Sequence, residues 1–139
     1  MLVKQLSAFV ENKPGKAAAA TAALAQAGVN IRAMSIGDST TFGVVRLIVD
    51  DLEKGSEALK NINITTSVNE VLAVHMDDKP GSLNKILETI GNGGVSVEYL
   101  YAFVSRETDS AAVIIRTEDG GSAKAAELLE KANIRAAKI

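Results

Sequence analysis

Apolar and polar positions along the chain follow two periods. Residues 2–11 and 70–77 alternate or run apolar, rich in Val and Leu, and turn polar just before Lys13-Pro14-Gly15 and Lys79-Pro80-Gly81, which predicts a strand at each place. Residues 16–27 are almost all alanine around Leu24, and residues 82–90 space Leu83, Ile86, Leu87 and Ile90 along one helical face. A proline near the first turn, with Gly28 or Gly91 near the end, supplies start and stop signals for two helices. Residues 29–36 and 95–104 read as strands, residues 37–41 and 105–110 as polar turns, and residues 42–49 and 111–117 as returning strands. Short helices over 51–61 and 122–132 and closing strands over 64–68 and 134–138 complete the pattern.

The same punctuation occurs twice. Phe9-Val10-Glu11-Asn12-Lys13-Pro14-Gly15 aligns with His75-Met76-Asp77-Asp78-Lys79-Pro80-Gly81, and the only two prolines, Pro14 and Pro80, lie 66 residues apart. Ala27-Gly28-Val29-Asn30-Ile31 matches Gly93-Gly94-Val95-Ser96-Val97 at the same offset. The offset grows to 68 at Val45/Val113, which implies two extra residues in the second hairpin, and to 70 at Leu59/Leu129. Internal repetition of this kind marks a duplicated structural unit.

Each copy has the order strand, helix, strand, strand, helix, strand. In halves of this size, that order predicts an α+β chain of two ferredoxin-like βαββαβ sandwiches packed side by side, with domains over 1–69 and 70–139. No Gly/Ser/Pro linker separates the copies, and residues 64–76 read as one strand running into the next. The alanine helix admits two readings: close approach of helix to sheet, or helix propensity alone.

Composition narrows the chemistry. Seventeen acidic and fifteen basic side chains leave a formal charge of -2, which removes the long-range attraction of a nucleic-acid or anionic-membrane binder. With no cysteine, disulfides, thiolate metal sites and cysteine nucleophiles are out, and one histidine, His75, is too few for a His-rich metal site. No cofactor or metal is expected. No signal peptide is visible, and no apolar run approaches the ~20 residues of a membrane span, so the expected location is cytoplasmic. Residues 42–48 and 111–115 offer only Phe42 as a stacking aromatic, which argues against RNA recognition. Glu11, Asp77 and Asp78 read as solvated loop acids and His75 as a structural or partly exposed residue, so no catalytic residue is assigned.

The two Lys-Pro-Gly loops, followed by Gly28-Val29-Asn30-Ile31 and Gly94-Val95-Ser96-Val97, resemble the ACT domain family over essentially the whole chain. The resemblance implies a pair of regulatory modules that bind small molecules, most often amino acids, at module interfaces. It implies a non-enzymatic regulatory protein. Two alternatives stay open: a regulatory subunit of an amino-acid biosynthetic enzyme such as acetolactate synthase, and a ligand-free interaction module.

On that resemblance the candidate ligand residues are Asn12, Lys13, Pro14, Gly15, Lys16, Asn30 and Ile31 in the first copy. In the second they are Asp78, Pro80, Gly81, Ser82, Leu83, Ser96 and Tyr99. The first helical turn after each proline offers free backbone N–H groups to a carboxylate, and the glycine lets a ligand approach the backbone. Asn12 and Asn30 have acceptors for an ammonium and donors for a carboxylate; Asp78 can pair an ammonium, while Ser96 reaches less far. Pro-Gly is also ordinary turn chemistry, and Asn30 can simply satisfy nearby backbone. Tyr99, Tyr101 and Phe103 alternate on one strand; they either pack under the helices or wall a ligand pocket at a module interface. Exposed strand edges suggest a homodimer; the expected partners are a small-molecule ligand and, in the first alternative, a metabolic enzyme.

Overall fold

The computed structural model describes residues 1–38, 42–105 and 110–139. Its elements are β1 (Leu2–Glu11), α1 (Lys16–Gln26), β2 (Ile31–Asp38), β3 (Phe42–Val49), α2 (Leu52–Lys60), β4 (Thr65–Asp77), α3 (Ser82–Asn92), β5 (Val97–Ser105), β6 (Ser110–Thr117) and α4 (Ser122–Lys131). By contacts the chain divides into two compact units: Lys4–Asn69, and Met1–Val3 together with Glu70–Ile139. Each is α+β with the strand order of a ferredoxin-like sandwich.

In the Lys4–Asn69 unit, β3 lies between β1 and β2 and is antiparallel to both, with Leu6 opposite Leu47, Glu11 opposite Phe42 and Ile31 opposite Val49. The start of β4 lies beside β1, where the Ser7 hydroxyl donates to Asn69 Oδ1 at 2.8 Å. Alternation puts Leu6, Ala8 and Val10 of β1 and Val45 and Leu47 of β3 under the helices, against Ala20, Leu24 and Leu59. Of the α1 alanines only Ala20 is buried, while Ala18, Ala19, Ala22 and Ala25 are exposed. Close packing therefore accounts for one position and helix propensity for the exposed ones.

In the Glu70–Ile139 unit, β6 lies between β4 and β5, with Leu72 opposite Ile115, Asp77 opposite Ser110 and Leu100 opposite Ile115. Leu72, Val74, Val113 and Ile115 face Ile86, Ile90, Ala125 and Leu129 of the helices. Leu100 packs on that core too. Tyr99, Tyr101 and Phe103 pair with Arg116, Ile114 and Ala112, so they stand on the other face of the sheet. Packing of these aromatics under the helices is thereby corrected.

The closing strand expected over 134–138 is reduced to a single bridge between Val74 and Ala136. His75 N–H donates to Arg135 O and Ala137 N–H to Ala73 O, but the Ala73 N–H that would extend the ladder donates to Met1 O at 2.9 Å. The first closing strand merges with residues 70–77 into β4.

The helix ends share one device. Gly28 and Gly94 adopt positive φ (74° and 82°), and the next residue, Val29 or Val95, donates its N–H back to Leu24 O or Ile90 O. Asn63 and Asn133 do the same after α2 and α4, with Ile64 and Ile134 reaching Leu59 O and Leu129 O. This is the Schellman closure with its apolar contact. It moves two expectations: Gly91 lies inside α3 and Gly94 is the stop, and β2 and β5 begin at Ile31 and Val97 because Val29 and Val95 belong to the closures. Gly37 and Asp38 extend β2, and Ser105 and Ser110 lie in β5 and β6; the rest of the two expected turns, 39–41 and 106–109, lies outside the described residues.

Candidate functional site

The two Lys-Pro-Gly loops repeat one backbone. Lys13 N–H donates to Glu11 O at 2.8 Å and Lys16 N–H to Lys13 O at 3.2 Å; Lys79 and Ser82 make the same bonds to Asp77 O and Lys79 O at 3.0 and 3.3 Å. Gly15 (φ 83°) and Gly81 (φ 88°) are the N-cap residues in left-handed conformation, and no side chain caps either helix. Glycine brings no capping oxygen. The loop carbonyls take up the Lys16 and Ser82 N–H groups, while the remaining first-turn N–H groups and the positive end of each helix dipole face the loop with no side-chain cap.

Charge at the loops is also duplicated. Lys13 Nζ lies 3.1 Å from Glu11 Oε2, and Lys79 Nζ lies 3.5 Å from Asp77 Oδ2. The Lys13 hydrogen bond and charge, with a smaller effect of Lys16, hold the Glu11 carboxyl below its usual range. The Lys79 charge and hydrogen bond, then a hydrogen bond from His75, do the same for Asp77.

Asn12, Lys13, Pro14, Gly15 and Lys16 are exposed together at one loop, and Asp78, Pro80 and Gly81 at the other; Ser82 is half-buried beside them. Leu83 packs on the core of its unit, as Ile31 does on the other. Asn30 and Ser96 immediately precede β2 and β5 at the opposite end. Glu11 stands opposite Phe42 and Ile31 opposite Val49, so the length of β3, about 23 Å at ~3.3 Å per residue, separates the loop from Asn30 within the unit. Ser96 is set apart from Asp78 in the same way, and Tyr99 lies at the Ser96 end, opposite Arg116. Within a unit the structure does not bring the two polar positions together.

The backbones of Asn30 and Ser96 are clamped alike. Asp50 Oδ1 accepts from Asn30 N–H at 2.9 Å and Glu118 Oε1 from Ser96 N–H at 3.2 Å. Both acids return a bond, donating their own N–H to Asn30 O and Ser96 O.

Beside each loop is an open groove that sequence reasoning missed. In the Lys4–Asn69 unit it holds about 700 Å³ between α1 and residues 62–65, and is lined by Phe9, Lys16, Ala19, Phe42, Asn63 and Thr65, among others. The small side chains of α1 leave this space open. In the Glu70–Ile139 unit the matching groove, about 420 Å³, is lined by His75, Lys79, Ser82, Lys85, Asn133 and Arg135. A hollow of about 590 Å³ adjoins it, sharing His75, Asp77 and Arg135 and walled by Phe103, Ala112 and Ala137. At the repeat offsets, His75 stands where the first copy has Phe9, Lys85 where it has Ala19, and Arg135 where it has Thr65. His75 Nε2 lies 3.0 Å from Arg135 Nη2 and 3.5 Å from Asp77 Oδ1.

Among the described residues no group of three or more His, Cys, Asp or Glu could hold a metal ion. Nor, among the described residues, is any helix long and apolar enough to cross a membrane.

A family model described as an ACT domain pair matches residues 1–138. The structure is similar to that of a protein from Bacteroides thetaiotaomicron, at 34% identity and a TM-score of 0.88, covering 96% of this chain and 90% of that one. It shares its fold with the regulatory subunit of aspartate kinase from Thermus thermophilus, at 18% identity and a TM-score of 0.67, over 95% of this chain and 97% of that one. The corresponding subunit from Thermus flavus is 16% identical with a TM-score of 0.67, over 96% and 95% of the two chains. No curated protein sequence matches the chain.

Proposed function

The chain belongs to the ACT domain pair family, and from that premise we propose that it is a non-enzymatic, cytoplasmic regulatory protein that binds an amino acid at its Lys-Pro-Gly loops. The observation that carries the reading is the duplicated, uncapped helix start at Gly15 and Gly81. Two independent positions keep the same left-handed glycine and the same pair of backbone bonds. An α-carboxylate is suited to the first-turn N–H groups, and Asn12 or Asp78 to the ammonium.

Because Asn30 lies a strand's length from Asn12 within its unit, one ligand touching both needs a second module. In this reading a homodimer supplies it, the loop of one module meeting the strand start of another. Ligand then orders that interface and shifts a population between states.

The test is a thermal-shift screen of the full chain against the common amino acids, with calorimetry on each hit. A ligand bound only by the folded state adds about 2.7 kcal/mol at a hundredfold excess over Kd. The expected result is a selective hit that Asn12→Ala and Asn30→Ala each abolish. No stabilisation by any amino acid at millimolar concentration would sink the reading.

A second reading makes the chain a regulatory subunit of an amino-acid biosynthetic enzyme. Acetolactate synthase is one such enzyme; the aspartate kinase subunits that share this fold are named as regulatory parts of another. Copurification of a catalytic partner with the tagged chain, from its native cell, would favour it over the stand-alone sensor.

A further inference from the structure

The groove beside α3 and the groove beside α1 occupy equivalent places in the repeat, yet their chemistry differs. We infer that the groove of the Glu70–Ile139 unit is a binding site for a small dianion, a phosphate or a dicarboxylate, held between Lys85 and Arg135. The site shares Ser82 with the second loop, but its charged residues, Lys85 and Arg135, are not among those proposed for amino-acid binding.

The chain as a whole carries a formal charge of -2. Among the described residues lining this groove and the hollow adjoining it, however, Lys79, Lys85, Arg135 and Lys138 stand against a single side-chain carboxylate, Asp77. Lys79 is engaged by Asp77 at 3.5 Å. Arg135 contacts an imidazole nitrogen, and no carboxylate pairs with its guanidinium among the described residues. Lys85 and Lys138 form no ion pair among the described residues. Elsewhere in the same unit Arg116 has Glu98 and Asp119, and Lys131 has Glu127; Lys124 of α4 stands alone among the described residues, away from the groove. Lys85, Arg135 and Lys138, none of them in an ion pair among the described residues, therefore stand together at one concave place.

The donor set suits two charged oxygens or more. Arg135 offers a planar fork that fits phosphate or carboxylate, and Lys85 a point charge. The Ser82 hydroxyl and Asn133 amide add neutral donors on the same wall. Phe103, Ala112 and Ala137 provide an apolar surface for the remainder of an organic anion. In the other unit Ala19 and Thr65 stand at the equivalent positions and leave Lys16 as the cation of the groove, with Glu11 beside it. The site belongs to one copy.

The test is calorimetric titration of the full chain with inorganic phosphate and, separately, with succinate at low ionic strength. The expected result is saturable binding of at least one of them, weakened about tenfold or more by Lys85→Gln and by Arg135→Gln and unchanged by Lys124→Gln on α4. Phosphate alone would assign a phosphate ligand, and succinate alone a dicarboxylate. A wild-type amide map needs no variant to fold: phosphate or succinate should shift residues 75, 82–85 and 133–135. Absence of binding by either anion at about 10 mM, a Kd ceiling corresponding to a very weak complex, overturns the inference, as does binding that both variants leave intact or that shifts other residues. A failed amino-acid screen leaves this result untouched, so the two proposals fail separately.

Discussion

Asp50 Oδ1 accepts the backbone N–H of Asn30 at 2.9 Å, while Asn30 O accepts the Asp50 N–H at 3.1 Å. This closed pair ties the end of β3 to the approach of β2, and Glu118 with Ser96 repeats it in the other copy. Removing the carboxylate leaves one N–H to water at an exposed site. Asp50→Ala should therefore cost about 1 kcal/mol in urea unfolding, and Asp50→Asn, which keeps an acceptor oxygen, less than half of that. Because the clamp holds the Asn30 backbone, Asp50→Ala is also expected to weaken any ligand that depends on Asn30.

Gly15 and Gly81 test the loops. A Cβ at either position meets nothing within 4 Å, and both have φ above 80°. Alanine there would be strained by backbone conformation alone. Each of Gly15→Ala and Gly81→Ala should destabilise the chain by about 1–2 kcal/mol in chemical denaturation. Asparagine, which tolerates left-handed backbone, should cost less than alanine at the same positions.

The duplication and the fold were legible because turn chemistry is local. Lys-Pro-Gly and Gly-Val fall at equal offsets, and each makes the backbone bend its residues predict. The misplaced stop of α3 was legible in principle: the repeat sets Gly94, not Gly91, opposite Gly28. With Gly91, Gly93 and Gly94 crowded together, composition alone could not choose, and the Val95-to-Ile90 contact decides. The aromatic strand could not be assigned a face from alternation, since that needs the register of Leu100 with Ile115.

The grooves were not legible, for a different reason. His75, Lys85 and Arg135 lie on a strand, a helix and the chain's last segment, and each by itself reads as an ordinary surface or structural residue. Only tertiary structure gathers them. The available signal was the repeat, which sets them against Phe9, Ala19 and Thr65 and so marks three places where the copies differ in charge or polarity.

Asp77 offers a check by pH. Its carboxyl is held below the usual range by the Lys79 charge first, then by hydrogen bonds from Lys79 and His75. A depressed folded-state value stabilises the fold above the unfolded-state value, and that contribution disappears as pH falls through the folded one. Lys79→Ala should raise the Asp77 midpoint toward the ordinary range in a carboxyl-carbon NMR titration. The pair is solvent-exposed, so the melting temperature at neutral pH should hardly move. An unchanged midpoint would mean that Lys79 is not engaged with Asp77 in solution.

Arg116 joins three parts of its unit. Nη1 donates to Glu70 O at 2.8 Å, Nη2 lies 2.8 Å from Asp119 Oδ1, and Nε lies 3.7 Å from Glu98 Oε2. Its side chain is 17% exposed while Asp119 is 95% exposed, so the ion pairs are largely screened and the bond to the β4 carbonyl carries more of the energy. Arg116→Ala removes a charged donor from Glu70 O and empties the space its stem fills beside Tyr99. The expected cost is about 1–3 kcal/mol in equilibrium unfolding. Asp119→Ala, by contrast, should fall within about 0.5 kcal/mol of wild type. Equal losses for the two variants would place the energy in the surface ion pair instead of the carbonyl bond.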